Sequence, residues 1–74
     1  MKFTIYTLPF CGICHMIKDK LESKHIQYEE EDFTSIAEYL QTDHAPALKI
    51  TDGNKVEFIT SVGDMVKLIN NYVG

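Results

Sequence analysis

"TIYTLPFCGICHMIKDKL" (residues 4–21) decides how this chain is read, because it passes from one periodicity to another and carries both cysteines where it does so. Before it and into it, "KFTIYT" (2–7) is rich in β-branched and aromatic residues and predicts a strand, which Pro9 ends. From Gly12 to about Lys24 the apolar residues Ile13, Met16, Ile17 and Leu21 recur at helical spacing, while Lys18, Asp19, Glu22 and Ser23 fall outside that stripe. Cys11 therefore stands just past a strand, where a helix opens, and Cys14 lies one turn in. Three chemistries use such a pair. C-x-x-C between a strand and a helix forms a redox-active dithiol. C-x-x-C-H attaches a haem, with His15 as one axial ligand and Met16 or Met65 as the other. Two cysteines with His15, His25 or His44 make a zinc site.

Working outward, the chain continues as short alternating elements without linker, repeat or low-complexity tract. "HIQYEE" (25–30) predicts a second strand, and "FTSIAEYLQ" (33–41) a short helix with Phe33, Ile36, Ala37 and Leu40 on one face and Thr34 or Ser35 as its cap. "APALKI" (45–50) and "KVEFI" (55–59) are strands joined by "TDGN", where Asp-Gly signals a hairpin because glycine takes positive φ without penalty. "VGDMVKLINNYV" (62–73) closes as a helix with Val62, Met65, Val66, Ile69, Tyr72 and Val73 on its apolar side, followed by Gly74. The order βαβαββα predicts one α/β domain over 1–74. A crossover makes the first two strands parallel, a late hairpin adds an antiparallel pair, and helices cover a mixed four-stranded sheet.

Charge and length remove several function classes. Lys and Arg total 7 against 11 Asp and Glu, a net charge of −4, which is the wrong sign for displacing counterions from nucleic-acid phosphates. No stretch reaches the ~20 apolar residues that span a bilayer. No signal peptide precedes the first strand, so the cytoplasm is the expected compartment, where structural disulfides are rare. A bridge between Cys11 and Cys14 would close so short a loop that its entropic value as a staple is small.

Compartment and spacing thus favour redox chemistry. The first turn of a helix presents unpaired N–H groups and a partial positive charge, and both favour a thiolate at Cys11. Cys14 is near enough to attack a mixed disulfide formed at Cys11 and release the reduced substrate. Covalent haem attachment belongs outside the cytoplasm, and a structural zinc site wants four ligands for which no second paired motif exists.

With the first strand, the CGIC turn and "HAPAL" (44–48) in place, the chain resembles the glutaredoxin family over nearly its full length. "HAPAL" matches the segment where the family carries a cis X-Pro, and "FITSVGDMVKLI" (58–69) is similar in register to the Ile-Gly-Gly stretch that leads into the family's last helix. The resemblance implies a thioredoxin-like fold and a thiol–disulfide oxidoreductase acting on protein or glutathione mixed disulfides, with Cys11 the nucleophile and Cys14 the resolving thiol. It implies a cis bond before Pro46, with the backbone of Ala45 pairing with the substrate cysteine, and Gly63 and Asp64 holding the γ-glutamyl end of glutathione. Phe10 and Ile13 would border the substrate, and Lys18 is the near cation for glutathione's glycine carboxylate. No bound cofactor is implied, glutathione entering as co-substrate. The expected partners are disulfide-containing proteins, with no nucleic acid or membrane partner, and a monomer is expected.

Departures from the family pattern keep two alternatives open. Thr60 and Ser61 replace the family's two glycines, and Leu8, Pro9 and Phe10 replace a basic residue before the nucleophile. "TIYT" and a C-x-x-C-H with Lys18 four residues on also resemble the NrdH-type redoxins, which take electrons from thioredoxin reductase and pass them to ribonucleotide reductase. That group's Ser-Gly-Phe-Arg-Pro stretch is absent here. A third reading is a [2Fe–2S] carrier, the cluster bridging two subunits through the nucleophilic cysteine and glutathione.

Other residues carry a plain reading beside a functional one. His15 is a solvated helix residue or tunes Cys11; Tyr6 fills the core or lines the substrate groove; Phe10 shields the thiol. "EEED" (29–32) is a solvated strand end or steers a basic partner, and Lys18 is a surface residue or an anion contact. His25 and His44 are expected to have no chemistry, although His44 stands where the family has a glutathione-contacting threonine.

Overall fold

A computed structural model of the chain describes residues 1–72. The elements are β1 (Lys2–Thr7), α1 (Gly12–Ser23), β2 (Tyr28–Asp32), a 3-10 turn (Phe33–Ser35), α2 (Ala37–Leu40), β3 (Ala47–Asp52), β4 (Lys55–Ile59) and α3 (Val62–Asn70). The strands form one mixed sheet in the order β2-β1-β3-β4, with β1 parallel to β2 and antiparallel to β3, and β3 antiparallel to β4. This is the predicted architecture. No helix among the described residues is long and apolar enough to cross a membrane.

Alternation along the central strands divides the core into two layers. Phe3 and Ile5 of β1 and Leu48 and Ile50 of β3 pack with Ile17 and Leu21 of α1 and Met65 and Ile69 of α3. On the opposite face Tyr6 and Ala47, directly paired across β1 and β3, join Phe33, with Leu8, Ile36, Ala37, Leu40 and Ala45 around them. Tyr6 is thus a core residue, and Tyr72 closes the first layer edge-on against Phe3 at 5.4 Å. The outer strand β2 exposes Glu29, Glu30, Glu31 and Asp32, charges that discourage edge-to-edge pairing with another sheet.

Several boundaries differ from expectation, each for a local reason. The second strand begins at Tyr28 rather than at residue 25, because the intervening residues close α1. His25 is left-handed (φ 58°), its N–H donates to Glu22 O, and the Ile26 N–H donates to Leu21 O. That is a Schellman closure without the usual glycine, sealed by burial of Ile26 with Leu21. The predicted helix 33–41 is a 3-10 turn followed by one α turn, and its cap is Asp32, whose Oδ1 accepts the Thr34 N–H at 2.9 Å, rather than Thr34 or Ser35. β3 starts at Ala47, since Pro46 has no N–H to offer a ladder. The β3–β4 hairpin turns at Gly53 (φ 60°) and Asn54. The last helix ends at Asn70, and Val73 and Gly74 lie outside the described residues.

The buried stripe of α1 also needs correction. It is Cys14, Ile17 and Leu21, whereas Ile13 and Met16 are 48% and 40% exposed. The helix is rotated so that the small cysteine, not the larger Ile13 or Met16, meets the sheet. Ile17→Ala should therefore lower the unfolding free energy by about 2–5 kcal/mol, and Met16→Ala should stay within about 0.5 kcal/mol, by urea denaturation; equal losses would reverse the assignment.

Candidate redox site

β1 ends at Thr7, and Leu8, Pro9 and Phe10 turn the chain into α1. Phe10 adopts a left-handed conformation (φ 63°), and Cys11 then takes the extended conformation of a helix N-cap. A sulfur fills the role usually taken by a hydroxyl or carboxylate: Cys11 Sγ accepts the Cys14 N–H at 3.2 Å. Cys11 is half-buried, so it is accessible to a substrate while its sulfur takes one free N–H of the first turn, that of Cys14.

Cys14 differs in every respect. It is 1% exposed, and both cysteines are free thiols. Burial pushes its pKa from an ordinary 9.0 to about 11, the hydrogen bond to Cys11 adds to the rise, and the backbone of Leu8 and the charge of Lys18 oppose it. At pH 7 Cys14 is therefore held as the neutral thiol. Two sulfurs three residues apart are thus sorted into an accessible acceptor and a protonated donor behind it.

Beside them, Lys18 Nζ lies 3.0 Å from Glu30 Oε2, and the same oxygen accepts the Thr7 hydroxyl at 2.7 Å. The Thr7 hydroxyl, and after it Lys18, hold the Glu30 carboxyl below its usual range. Lys18 is thus an ion-paired residue with a 19% exposed side chain rather than a free cation. Phe10 is 103% exposed and covers nothing, so the expectation that it shields the thiol is not met: its left-handed backbone leaves the ring in solvent. Ile13, His15 and Met16 are exposed on the same first turns, and Gly12, His15, Met16 and Asp19 line a shallow groove along the outer side of α1.

The Ala45–Pro46 peptide is cis, and Pro46 is fully buried. Because Ala47 pairs with Tyr6, residues 45 and 46 continue past the ladder at the sheet end from which β1 leaves toward Cys11. Gly63 and Asp64 lie exposed in the first turn of α3, as expected. Sequence reasoning missed Ser61 as the cap of that helix, its Oγ accepting the Asp64 N–H at 3.4 Å, although Ser-x-x-Asp is a readable start signal. His44 is exposed beside Asp43 and His25 serves the α1 closure. Among the described residues no three His, Cys, Asp or Glu are gathered as a metal site would require.

The asymmetry of the thiols has two measurable consequences. Iodoacetamide at pH 8 should label Cys11 alone, with Cys14 becoming reactive in the native protein only as pH approaches 11, read by peptide mass spectrometry. A thiol whose pKa is raised by folding stabilises the fold fully below its ordinary value and loses that contribution as pH climbs through the raised one, so stability should fall between pH 9 and 11. Equal labelling at pH 8 would contradict the burial of Cys14.

Three comparisons with known proteins bear on the chain. No curated protein matches it. The trimeric glutathione transferase TDR1 of Leishmania superposes on 93% of the chain with a TM-score of 0.77 at 13% identity. The chain corresponds to only 17% of that protein, and at this identity the likeness is one of fold, the thioredoxin-like α/β arrangement. The glutaredoxin family model matches residues 3–44, more than half of the chain, including β1, both cysteines, α1 and β2. That span carries the C-x-x-C turn whose geometry is described above, and it implies thiol–disulfide redox chemistry; the chain belongs to the glutaredoxin family.

Proposed function

We propose that the protein is a small dithiol oxidoreductase that reduces protein or glutathione mixed disulfides through Cys11 and Cys14. One observation carries this reading: a half-buried sulfur caps a helix by accepting the N–H of a buried second cysteine one turn in. Cys11 attacks a substrate disulfide, forming a mixed disulfide and expelling one thiolate. Cys14 then attacks Cys11 Sγ, the intermolecular S–S bond breaks, and the second substrate sulfur leaves and takes up the proton that Cys14 gives up. Two electrons pass to the substrate, and the protein is left with a Cys11–Cys14 disulfide.

Around this step we assign Phe10, Ile13 and Met16 as an apolar rim for the substrate, since a protein disulfide brings apolar surface with it. The segment at Ala45 and Pro46 supplies backbone for the substrate strand, supported by its position just beyond the Tyr6–Ala47 pair. The start of α3 at Gly63 and Asp64 would meet the γ-glutamyl end of glutathione, although Ser61 already takes one of its free amides.

A second reading within the same chemistry is an NrdH-type redoxin fed by thioredoxin reductase, with ribonucleotide reductase as a recipient. The Lys18–Glu30 pair favours it, because the cation nearest the cysteines on α1 already has a carboxylate partner and offers glutathione's carboxylate little. The disulfide form of the protein, incubated separately with glutathione and with thioredoxin reductase plus NADPH, separates the two: the efficient reductant names the type. In either case Cys11→Ser should abolish disulfide reduction, while Cys14→Ser should keep deglutathionylation of small substrates and lose the dithiol reaction. Full activity of Cys11→Ser would end the assignment.

A further inference from the structure

The cysteines leave one chemical problem unsolved. Cys14 must become a nucleophile, yet burial keeps it protonated. Lys18 lies four residues beyond Cys14 on α1, on the same face of the helix and one turn deeper. A free lysine there would swing into solvent on its flexible stem. Here it is tied down: Glu30 of β2 holds its ammonium at 3.0 Å, and Thr7 of β1 fixes the same carboxylate oxygen at 2.7 Å. The bond network joins β1, α1 and β2, and it is the only Lys–carboxylate pair on α1 among the described residues.

We propose that Lys18, anchored by Glu30 and Thr7, is a positioning residue for the resolving step, its fixed ammonium offsetting the negative charge that Cys14 develops as it attacks the Cys11 mixed disulfide. The inference rests on the dithiol reading above. The charged and titratable groups that act on Cys14 are Cys11 at the cap and Lys18 on α1, while Glu30 of β2, itself influenced by His15, holds Lys18. Of these, Lys18 is the cation that favours the Cys14 thiolate, and Glu30 limits that effect while keeping it in place. Cys11, once in a mixed disulfide, has no proton to lose, so Cys14 is the sulfur on which the cation acts.

Removing the charge should shift resolution, not attack. Lys18→Met removes the cation that favours the charged form of Cys14, so resolution at pH 7 should slow about two- to fourfold, a lower thiolate fraction being offset in part by a stronger nucleophile. The measurement is stopped-flow reaction of the reduced protein with 5,5′-dithiobis(2-nitrobenzoate) between pH 5 and 10. A first thiolate release reports attack by Cys11, and a second, absent in Cys14→Ser, reports resolution by Cys14. In Lys18→Met the second phase should slow and its pH profile move to higher pH. Lys18→Arg should restore the wild-type profile, because a guanidinium also pairs with a carboxylate. A merely structural role would not move a pH profile that arginine then restores.

An unmoved second phase in a Lys18→Met protein whose first phase is intact overturns the proposal. So does a raised KM for a glutathione mixed disulfide with no change in the second phase, which would make Lys18 a substrate contact. If Lys18→Met does not fold, Lys18→Gln carries the same comparison. Absence of any second phase in the wild-type protein would instead sink the dithiol reading on which the inference stands.

Discussion

The rest of the molecule depends on how α1 is seated on the sheet. Ile17 and Leu21 are buried against Phe3, Ile5 and Leu48, with Cys14 buried on the same side of the helix, and each fully buried aliphatic side chain of that set contributes about 1.5–3 kcal/mol. Turning the helix to bury Ile13 and Met16 would draw Cys14 outward and disturb Ile17, so the core decides the rotation. That rotation settles the chemistry. It places Cys11 at the rim with its sulfur accepting the Cys14 N–H, buries Cys14 so that its neutral form is favoured, and aims Lys18 toward β2. Helix packing and thiol asymmetry have one cause.

The second constraint is the antiparallel pairing of β1 with β3. Because Tyr6 faces Ala47, the end of β1 and the start of β3 lie side by side, and the loop carrying Cys11 and the loop carrying Pro46 share one end of the sheet although 35 residues separate them in sequence. Small Ala47 opposite large Tyr6 lets the second layer close over them with Phe33, Ile36 and Leu40. A site assembled from two such loops is only as rigid as this register, and a slip of one residue would put Tyr6 on the wrong face.

Much of this was legible in the residues. Element order, strand directions, the hairpin at Gly53 and the strand–helix placement of Cys11 followed from periodicity and turn chemistry. The failures share a physical form. Periodicity weighed Ile13 and Met16 by side-chain hydrophobicity, yet the position facing the sheet had room for a cysteine. Residues 25 and 26 resembled a strand because a Schellman closure usually declares itself with glycine, and here His25 takes the left-handed position. The Lys18–Glu30–Thr7 contacts were hidden because they join three elements, and no local pattern reports which charges meet across a sheet edge.

Those contacts also bear on substrate choice. For glutathione to use Lys18, its carboxylate would have to displace Glu30, exchanging one partly exposed ion pair for another. Such pairs are worth about 0–1 kcal/mol, so the exchange gains almost nothing while leaving Glu30 with Thr7 alone. On the proposed reading, discrimination then falls to the apolar rim of Phe10, Ile13 and Met16. Phe10 holds a backbone conformation that disfavours side chains by about 1–2 kcal/mol, and its ring makes no contact that would offset this within the fold. On that reading, this strained and fully solvated aromatic beside Cys11 would gain its compensation where an apolar surface docks, and a protein offers more such surface than a tripeptide.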